Sequence, residues 1–286
     1  MILSIGEILA DIVVLENGSS ALNIGGAPFN VAVNAKRNSS CVGFIGSVGK
    51  DVVGLTLINK AEEYLLDNLD IYKSDKNTTL AFVTLNNGER SFSFFRNDTA
   101  DTDINYKSIN IDSYANLNIL HIGSLMLSCK KGRKALKNLI LKAKKSNVLI
   151  SFDVNLRDVF KSDKQLRKSY KYPLDSADII KLSGEELTFF TGEEDLTMAI
   201  NSLARKNALY LITLGEKGSF YFYNGKSVFI EAEKVEAVDT TGAGDAFFGT
   251  FLSEIEGKSF TEENIVSALK KANRKGAECT LKFGAL

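Results

Sequence analysis

Short runs rich in β-branched residues alternate with segments of helical period along most of the 286-residue chain. This alternation is typical of parallel strands whose connecting helices cover both faces of one sheet. The pattern predicts strands at Ile2–Ile5, Val42–Ser47, Ile119–Ile122, Val148–Phe152, Ile179–Leu182 and Leu209–Thr213, and helices near Pro28–Lys36, Gly54–Leu65, Lys131–Lys145, Asp163–Tyr170, Gly184–Thr191, Leu196–Arg205, Gly244–Ile255 and Thr261–Cys279. We therefore predict a doubly wound α/β fold with a mostly parallel sheet, formed by one domain over residues 1–286.

Two stretches break this rhythm because their apolar residues alternate with a period of two. One is Ile12–Leu15, and the other consists of the runs Thr78–Leu85 and Arg90–Arg96, which Asn86-Asn-Gly88 joins as in a β-hairpin. We predict a small antiparallel sheet, built from about residues 11–24 and 72–99, that forms a lid over the strand ends or a subunit contact. The alternative left open by these residues is an antiparallel extension at the edge of the main sheet.

The charge balance excludes two classes of partner. Lys plus Arg number 35, the same as Asp plus Glu, so the chain has no basic field to attract nucleic acid or an anionic membrane surface. No stretch approaches the length of a membrane-spanning helix, and the first residues do not match a secretory signal. We expect a cytoplasmic protein that binds neither nucleic acid nor membrane.

The cysteines and the histidine exclude several kinds of site. Cys41, Cys129 and Cys279 lie far apart without C-x-x-C spacing, which argues against a disulfide framework and a zinc site. Each has apolar neighbours in the sequence, so we expect inert, buried thiols. The single histidine, His121, excludes a catalytic histidine pair, and we expect it to be hydrogen-bonded at the end of a strand.

The segment Asp239-Thr-Thr-Gly-Ala-Gly-Asp-Ala-Phe247 joins a glycine-rich turn to the start of an amphipathic helix. Free N–H groups and the helix dipole at such a turn form an anion site suited to phosphate, and Gly242 and Gly244 permit close approach of the backbone. Asp245 falls in the first helical turn. Its carboxylate could be an ordinary partner of the helix dipole or a base for a hydroxyl aligned with the phosphorus.

A competing phosphate-binding motif is the Walker P-loop. The segment Gly43-Phe-Ile-Gly-Ser-Val-Gly-Lys50 is similar to it. The Gly-Lys pair is displaced by one residue from the required spacing, and Asp51 stands where a magnesium-binding Ser or Thr is needed. We therefore interpret this segment as a strand and its turn.

A second glycine-containing segment, Asn23–Asn34, places Gly25 and Gly26 before Pro28, which suits the first position of a helix. The paired glycines free the backbone to approach a ligand. Asn30 could hydrogen-bond sugar hydroxyls, and Asp11 could hold two hydroxyls with its carboxylate. For Asp11 a solvated charge is the alternative.

Gly25-Gly-Ala-Pro-Phe-Asn-Val-Ala32 and Asp239–Phe247 together resemble, in residue, order and separation, the two signatures of the ribokinase (PfkB) family of carbohydrate kinases. Further segments agree in order, so that the resemblance spans nearly the whole chain: Gly6-Glu7, Gly46 to Gly54, Asp153 to Arg157, Ala177 to Ser183 and Thr213 to Gly218. Within the family, Gly88–Arg96 and Ala100-Asp101 are most similar to fructokinases.

The resemblance implies a ribokinase-like fold and a role for each matched residue. Asp245 would deprotonate the sugar hydroxyl, and the amides of Gly242, Ala243, Gly244 and Asp245 would hold the transferring phosphoryl group. The residues implied in sugar binding are Asp11, Gly25, Gly26, Asn30 and Arg157, with Phe94 and Arg96 closing over the sugar from the lid. For Phe92 and Phe94, an apolar stripe in the core of the lid is the alternative.

The resemblance also implies a nucleotide side and two cation positions. The residues matched to ATP binding are Ser183, Thr213, Gly215, Gly218 and Asn273, with Ser183 standing where many relatives have Asn. Glu186 would order the water around Mg²⁺, and Asp239 and Thr241 would lie beside a potassium ion. Residues that follow predicted strands suit the rule that ligands bind beyond the carboxyl ends of such strands.

These implications predict transfer of the γ-phosphate of ATP to the 6-hydroxyl of fructose. The alternatives are the same chemistry on 2-keto-3-deoxygluconate, ribose or aminoimidazole riboside, and a sugar-binding regulator that has lost catalysis. A homodimer that pairs through the lid is compatible with each of them.

Overall fold

The structure, a computed structural model, describes residues 1–14, 19–38, 40–86, 89–104, 106, 109–157, 159–160 and 162–286, with the backbone alone for 83–86 and 89–92. Its strands are β1 (Ile2–Ile5), β2 (Leu9–Val14), β3 (Ser20–Gly25), β4 (Val42–Gly49), β5 (Asn68–Ser74), β6 (Leu80–Asn86), β7 (Glu89–Phe95), β8 (Ile119–Ile122), β9 (Leu149–Asp153), β10 (Ile179–Ser183), β11 (Leu209–Thr213), β12 (Gly218–Tyr223) and β13 (Lys226–Glu231). Its helices are α1 (Ala27–Arg37), α2 (Val52–Glu62), α3 (Lys130–Lys145), α4 (Asp163–Leu174), α5 (Gly184–Thr191), α6 (Leu196–Leu203), α7 (Ala243–Ile255) and α8 (Glu262–Cys279).

The large sheet has nine strands in the order β13-β12-β11-β10-β9-β8-β1-β4-β5. Neighbours from β5 to β11 run parallel, and β12 and β13 add an antiparallel edge. From β1 the chain reaches β4 on one side and later β8 on the other. This reversal places the topological switch point, where ligands bind in such folds, at the carboxyl end of β1.

Two apolar clusters cover the two faces of this sheet. Helices α1, α2, α7 and α8 pack on one face through side chains such as Phe29, Leu57 and Phe248. Helices α3 to α6 pack on the other face through side chains such as Leu139 and Tyr170. The prediction of a doubly wound, mostly parallel sheet is therefore confirmed.

A second, separate sheet has the strand order β3-β2-β6-β7. Its two hairpins, β2–β3 and β6–β7, are antiparallel, and they join through a parallel pairing of β2 with β6. The prediction of a small sheet outside the main one is confirmed, whereas strand β3 and the parallel pairing were not predicted. Leu15 and the turn residues Asn87 and Gly88 lie outside the described residues.

Strands β5, β12 and β13 were also missed by the sequence reading. The strands β5 and β13 form the two edges of the large sheet, and both alternate exposed with half-buried residues. Edge strands carry polar side chains and so lose the apolar signal of a central strand.

The P-loop-like segment was interpreted correctly, because it forms β4 and Asp51 caps α2 by accepting a hydrogen bond from the Gly54 amide at 2.8 Å.

The expectation of three buried thiols is wrong for Cys41, which is exposed because it precedes β4 at the surface. Cys129 is half-buried, and Cys279 is buried as expected. His121 has the expected structural role in β8, where its Nδ1 lies 3.0 Å from the Ser151 hydroxyl. Burial lowers the pKa of His121 to about 3, so the imidazole is neutral at physiological pH. Among the described residues, no helix is long and apolar enough to cross a membrane.

The close approach of α1 and α7 yields a test of the packing. A Cβ atom on Gly249 would lie 2.5 Å from the Val31 carbonyl oxygen, whereas one on Gly276, also in a helix, would lie 3.3 Å from its nearest neighbour. We expect Gly249→Ala to lower the free energy of unfolding by about 1–3 kcal/mol through overpacking. Gly276→Ala should change it by less than about 1 kcal/mol, since the helix preference of Ala offsets the tighter contact. Urea denaturation measures both, and equal stabilities would contradict the packing described.

Candidate active site

A cavity of about 680 Å³ opens at the carboxyl end of the large sheet. Its wall combines residues that follow β1, residues after β9, one lysine on β10 and the turn before α7. The cavity-lining residues used below are Glu7, Asp11, Gly26, Asn30, Phe94, Arg157, Lys181, Asp239, Thr241, Gly242, Gly244 and Asp245. The cavity therefore lies at the switch point, as expected for a ligand site in this topology.

The turn that leads into α7 is shaped by Gly242. This residue caps the helix with a left-handed φ of 78°, and a Cβ there would lie 2.6 Å from the backbone of Ala285. Helix α7 then begins at Ala243, so the first amides of its N-terminus lack intrahelical acceptors. The Ala243 amide, predicted to hold a phosphoryl group, instead donates to the Thr240 carbonyl at 3.2 Å. The other first amides and the helix dipole are placed where an anion can bind.

Asp245 lies in the first turn of α7, and Asn30 on α1 holds its carboxylate. The Nδ2 group of Asn30 donates a hydrogen bond to Oδ2 of Asp245 at 2.8 Å. Burial raises the pKa of Asp245 to about 6, and the Asn30 hydrogen bond opposes the rise. A carboxyl group with this pKa is ionised at neutral pH yet basic enough to accept a proton from a bound hydroxyl.

Lys181 forms a buried ion pair below the same turn. Its Nζ lies 2.9 Å and 3.0 Å from the two carboxylate oxygens of Asp153 at the end of the neighbouring strand. Burial alone would lower the pKa of Lys181, but the Asp153 carboxylate raises it above its ordinary value, so the ammonium stays charged. A Cβ on Gly244 would lie 3.1 Å from Nζ, which places this cation directly against the anion-binding turn.

The sequence reading gave no role to Lys181, Asp153 or Glu7, although it recorded the segments that contain them. The available signal was a lysine inside an otherwise apolar strand, since a lysine is seldom buried without a partner. Its partner lies on another strand, 28 positions away, and only the fold brings the two together.

Most residues assigned to the sugar do meet in the cavity, namely Asp11, Gly26, Asn30, Phe94 and Arg157. Gly25 lies behind Asp11: a Cβ at this glycine would collide with the Asp11 carboxylate at 2.1 Å. The absence of a side chain at Gly25 therefore gives the carboxylate its place.

Arg96 is the exception, because the structure does not bring it to the cavity wall. Its Nε donates to Oδ2 of Asp101 at 2.7 Å, and its Nη1 donates to the Ser128 hydroxyl at 2.7 Å. This buried ion pair anchors the segment after β7 to the main sheet side of the cavity. Arg96 therefore stabilises the position of the segment after β7, and it does not close over the cavity as predicted.

The residues assigned to ATP and magnesium lie outside this cavity, beyond β10 and β11. Ser183 caps α5 reciprocally with Glu186, whose Oε2 accepts from the Ser183 amide at 2.7 Å. The other oxygen, Oε1, accepts from the Leu156 amide at 2.6 Å. Two backbone bonds thus fix the orientation of the Glu186 carboxylate, and Ser183 is a helix cap.

The loop between β11 and β12, which follows Thr213, depends on two glycines with positive φ, Gly215 at 58° and Gly218 at 119°. Asn273 on α8 is buried beside this loop, where its Oδ1 accepts from the Ser219 hydroxyl at 2.8 Å and its Nδ2 donates to the Ile230 carbonyl at 3.0 Å. In this arrangement, Asn273 ties α8 to β12 and β13.

Asp239 is buried where the turn before α7 meets the last residues of the chain. Its Oδ1 accepts from the Thr241 amide at 2.9 Å, and its Oδ2 accepts from the Gly284 amide at 2.7 Å. Within the part of the chain that the structure describes, no group of three or more His, Cys, Asp or Glu residues could hold a metal ion by itself.

Comparison with known proteins gives consistent matches. A family model described as pfkB family carbohydrate kinase matches residues 1–286. The chain is 36% identical over 301 residues to probable fructokinase-2 of Arabidopsis thaliana. This alignment covers 100% of the chain and 92% of the relative. It is 35% identical over 303 residues to fructokinase-1 of Zea mays, with 100% and 93% covered.

Two solved structures share the fold. The fructokinase from Vibrio cholerae O395 with bound fructose, ADP and calcium ion superposes with a TM-score of 0.90 at 30% identity, covering 99% of this chain and 94% of that one. A sugar kinase from Pyrococcus horikoshii in complex with ATP superposes with a TM-score of 0.87 at 33% identity, covering 100% and 94%. These similarities confirm the ribokinase-like fold.

The raised pKa of Asp245 predicts that this residue destabilises the folded chain at alkaline pH. A carboxyl group whose pKa is raised from 3.8 to about 6 on folding costs stability fully above pH 6 and not at all below pH 3.8. We expect Asp245→Asn to raise the free energy of unfolding at pH 8 by on the order of 2 kcal/mol, with the gain shrinking toward pH 4.

Asp75→Asn is the matched control, because the Asp75 side chain is 90% exposed and lies outside the cavity. Urea denaturation of both variants at several pH values measures the difference. An Asp245→Asn protein that is less stable than the parent at pH 8 would contradict the desolvation described.

Proposed function

The chain belongs to the pfkB family of carbohydrate kinases, and we propose that it transfers the γ-phosphate of ATP to the 6-hydroxyl of fructose. It is a phosphotransferase that acts on a sugar hydroxyl. The observation that carries the proposal is the half-buried Asp245 carboxylate, which Asn30 holds at the N-terminus of α7 on the wall of the cavity. A base beside an anion-binding turn is the arrangement that phosphoryl transfer to a hydroxyl requires.

Fructose is the acceptor best supported. Curated relatives at about 35% identity over the full chain are fructokinases, and the fructokinase from Vibrio cholerae binds fructose and ADP in the same fold. The cavity volume of about 680 Å³ falls within the range of small-molecule sites. Asn30 also carries a buried Oδ1 that has no hydrogen-bond partner in the described part of the chain, and a sugar hydroxyl can donate to it.

The reaction proceeds as an in-line displacement in which this chain supplies position and charge. Asp245 accepts the proton of the 6-hydroxyl while the oxygen of that hydroxyl forms its bond to the γ-phosphorus. The bond between the γ-phosphorus and the bridging oxygen breaks, and ADP leaves with the electron pair. The amides of Gly242, Gly244 and Asp245 and the Lys181 ammonium below them stabilise the charge on the transferring group.

Magnesium would enter the site together with ATP, as the MgATP complex. The two backbone hydrogen bonds to Glu186 fix its carboxylate and leave the second lone pair of each oxygen for water bound to the metal. Phosphate and water would supply the remaining ligands, as is usual for Mg²⁺. A potassium ion beside Asp239 and Thr241, where the turn before α7 meets Gly284, belongs to the same proposal.

The small sheet is proposed to close over the bound sugar through Phe94, which lines the cavity. Closure excludes water and so limits hydrolysis of ATP. A homodimer that pairs through the same sheet fits the 61% exposure of Phe95 on β7. The proposal assigns the reaction to the cytoplasm and includes neither nucleic acid nor membrane.

A coupled assay of ADP release across fructose, ribose, 2-keto-3-deoxygluconate and aminoimidazole riboside tests the function. We expect fructose to have the highest kcat/KM, and Asp245→Asn to lower kcat by at least about 100-fold because a general base is lost. Asp75→Asn should retain the parent rate. Absence of ADP release with every sugar would contradict the kinase proposal, and release with another sugar alone would replace fructose as the substrate.

The pH dependence of kcat/KM tests the base itself. Because Asp245 must be ionised and burial raises its pKa to about 6, kcat/KM should fall tenfold per pH unit below about pH 6. Asn30→Ala removes a hydrogen bond that lowers this pKa, so its acidic limb should move to higher pH. The exposed Asn201→Ala leaves the limb in place. An acidic limb near pH 4 in the parent protein would contradict the role of Asp245.

A further inference from the structure

Glu7 occupies the position where this topology brings ligands. It follows β1 directly, at the switch point between β4 and β8, and it lines the cavity that contains Asp245. The mechanism above gives it no task. A carboxyl group in this position can contact whatever fills the cavity.

The carboxyl group of Glu7 is buried and incompletely bonded. The residue is 7% exposed, and its Oε2 has no hydrogen-bond partner among the residues that the structure describes. Oε2 lies against the bare backbone of Gly123 at the end of β8, where an added Cβ would come within 3.0 Å of it. Buried polar atoms normally have hydrogen-bond partners. A buried oxygen without a partner, on a residue that lines a cavity, therefore indicates that a ligand supplies the partner.

Among the residues that the structure describes, no cation forms an ion pair with Glu7. Arg96 is the strongest nearby positive charge, but its guanidinium is committed to Asp101 and Ser128. Burial raises the pKa of Glu7 to about 7, so its carboxyl group can donate or accept a hydrogen bond near neutral pH. A neutral, hydroxyl-bearing ligand suits such a group better than an anion or a cation.

We propose that Glu7 binds the acceptor sugar, and that its carboxyl group forms a hydrogen bond with one hydroxyl that is not phosphorylated. Glu7 thereby determines specificity for sugars that carry this hydroxyl. The inference rests on the proposed kinase function and adds a contact at the switch point. Asp245 contacts the reacting hydroxyl, whereas Glu7 contacts the body of the sugar.

The competing interpretation is that Glu7 only fills space beneath the cavity. In that case Glu7→Gln and Glu7→Ala would change the stability of the fold and would lower kcat/KM for every sugar by the same factor. Selective coupling between Glu7 and one hydroxyl separates the two interpretations, because a filler residue does not distinguish among hydroxyls.

The experiment measures kcat/KM of the parent, Glu7→Gln and Glu7→Ala with fructose and with fructose analogues that each lack one non-reacting hydroxyl. With the parent protein, loss of the partner hydroxyl should lower kcat/KM by about 10- to 100-fold, the scale of one hydrogen bond to a carboxyl group. With Glu7→Ala that analogue and fructose should be used almost equally, while the other analogues keep their parental losses. The exposed Glu263→Gln on α8 is the control and should match the parent throughout.

Each outcome decides the matter. If all analogues keep their parental losses in Glu7→Ala, or in Glu7→Met should the Ala variant not fold, Glu7 does not contact the sugar and the kinase function stands. Met has a similar size and only a weak hydrogen-bond acceptor. If the parent phosphorylates neither fructose nor any analogue, fructose is not the acceptor, and the proposed contact between Glu7 and a fructose hydroxyl fails with it.

Discussion

The hydrogen bond between Asn30 and Asp245 is the interaction on which the site depends. It joins α1, the first helix of the chain, to α7, one of the last, across 215 positions of sequence. The bond is possible because Gly249 lets α7 approach the α1 backbone closely. The two glycine-containing signatures therefore form one structure: one supplies Asp245 and the glycine turn before α7, and the other holds the Asp245 carboxylate through Asn30.

Below this bond, the fold buries more carboxyl groups than cations at one point. Asp153 and Glu7 are buried, and Asp245 is half-buried, around Lys181, whose ammonium group donates hydrogen bonds to Asp153. Burial raises the pKa of Asp245 and of Glu7, so their ionised forms bear a desolvation cost. Such a cost is typical of sites whose polar groups are arranged for a ligand. Sugar hydroxyls can satisfy the orphan oxygens of Asn30 and Glu7.

The sequence predicts the parts of this site whose geometry is local. Asp245, Gly242 and Gly25 are found because a glycine turn at a helix start has a recognisable order of residues. Lys181 and Asp153 are not found, since their pairing depends on which strands become neighbours. Arg96 was assigned to the sugar from the resemblance to fructokinases, but its ion pair with Asp101 holds it in an adjoining cavity, which shares Phe94 and Arg157 with the first. The edge strands β5 and β13 were not predicted, because many of their residues face solvent and are polar, so the apolar run typical of a buried strand is missing.

A crystal structure of the complex with fructose, Mg²⁺ and a nonhydrolysable ATP analogue tests the central claim most directly. The account predicts that the 6-hydroxyl oxygen lies within about 3 Å of an Asp245 carboxylate oxygen, with the γ-phosphate against the Gly242–Asp245 amides. A sugar bound with no hydroxyl near Asp245, or a γ-phosphate held away from the α7 N-terminus, would contradict it.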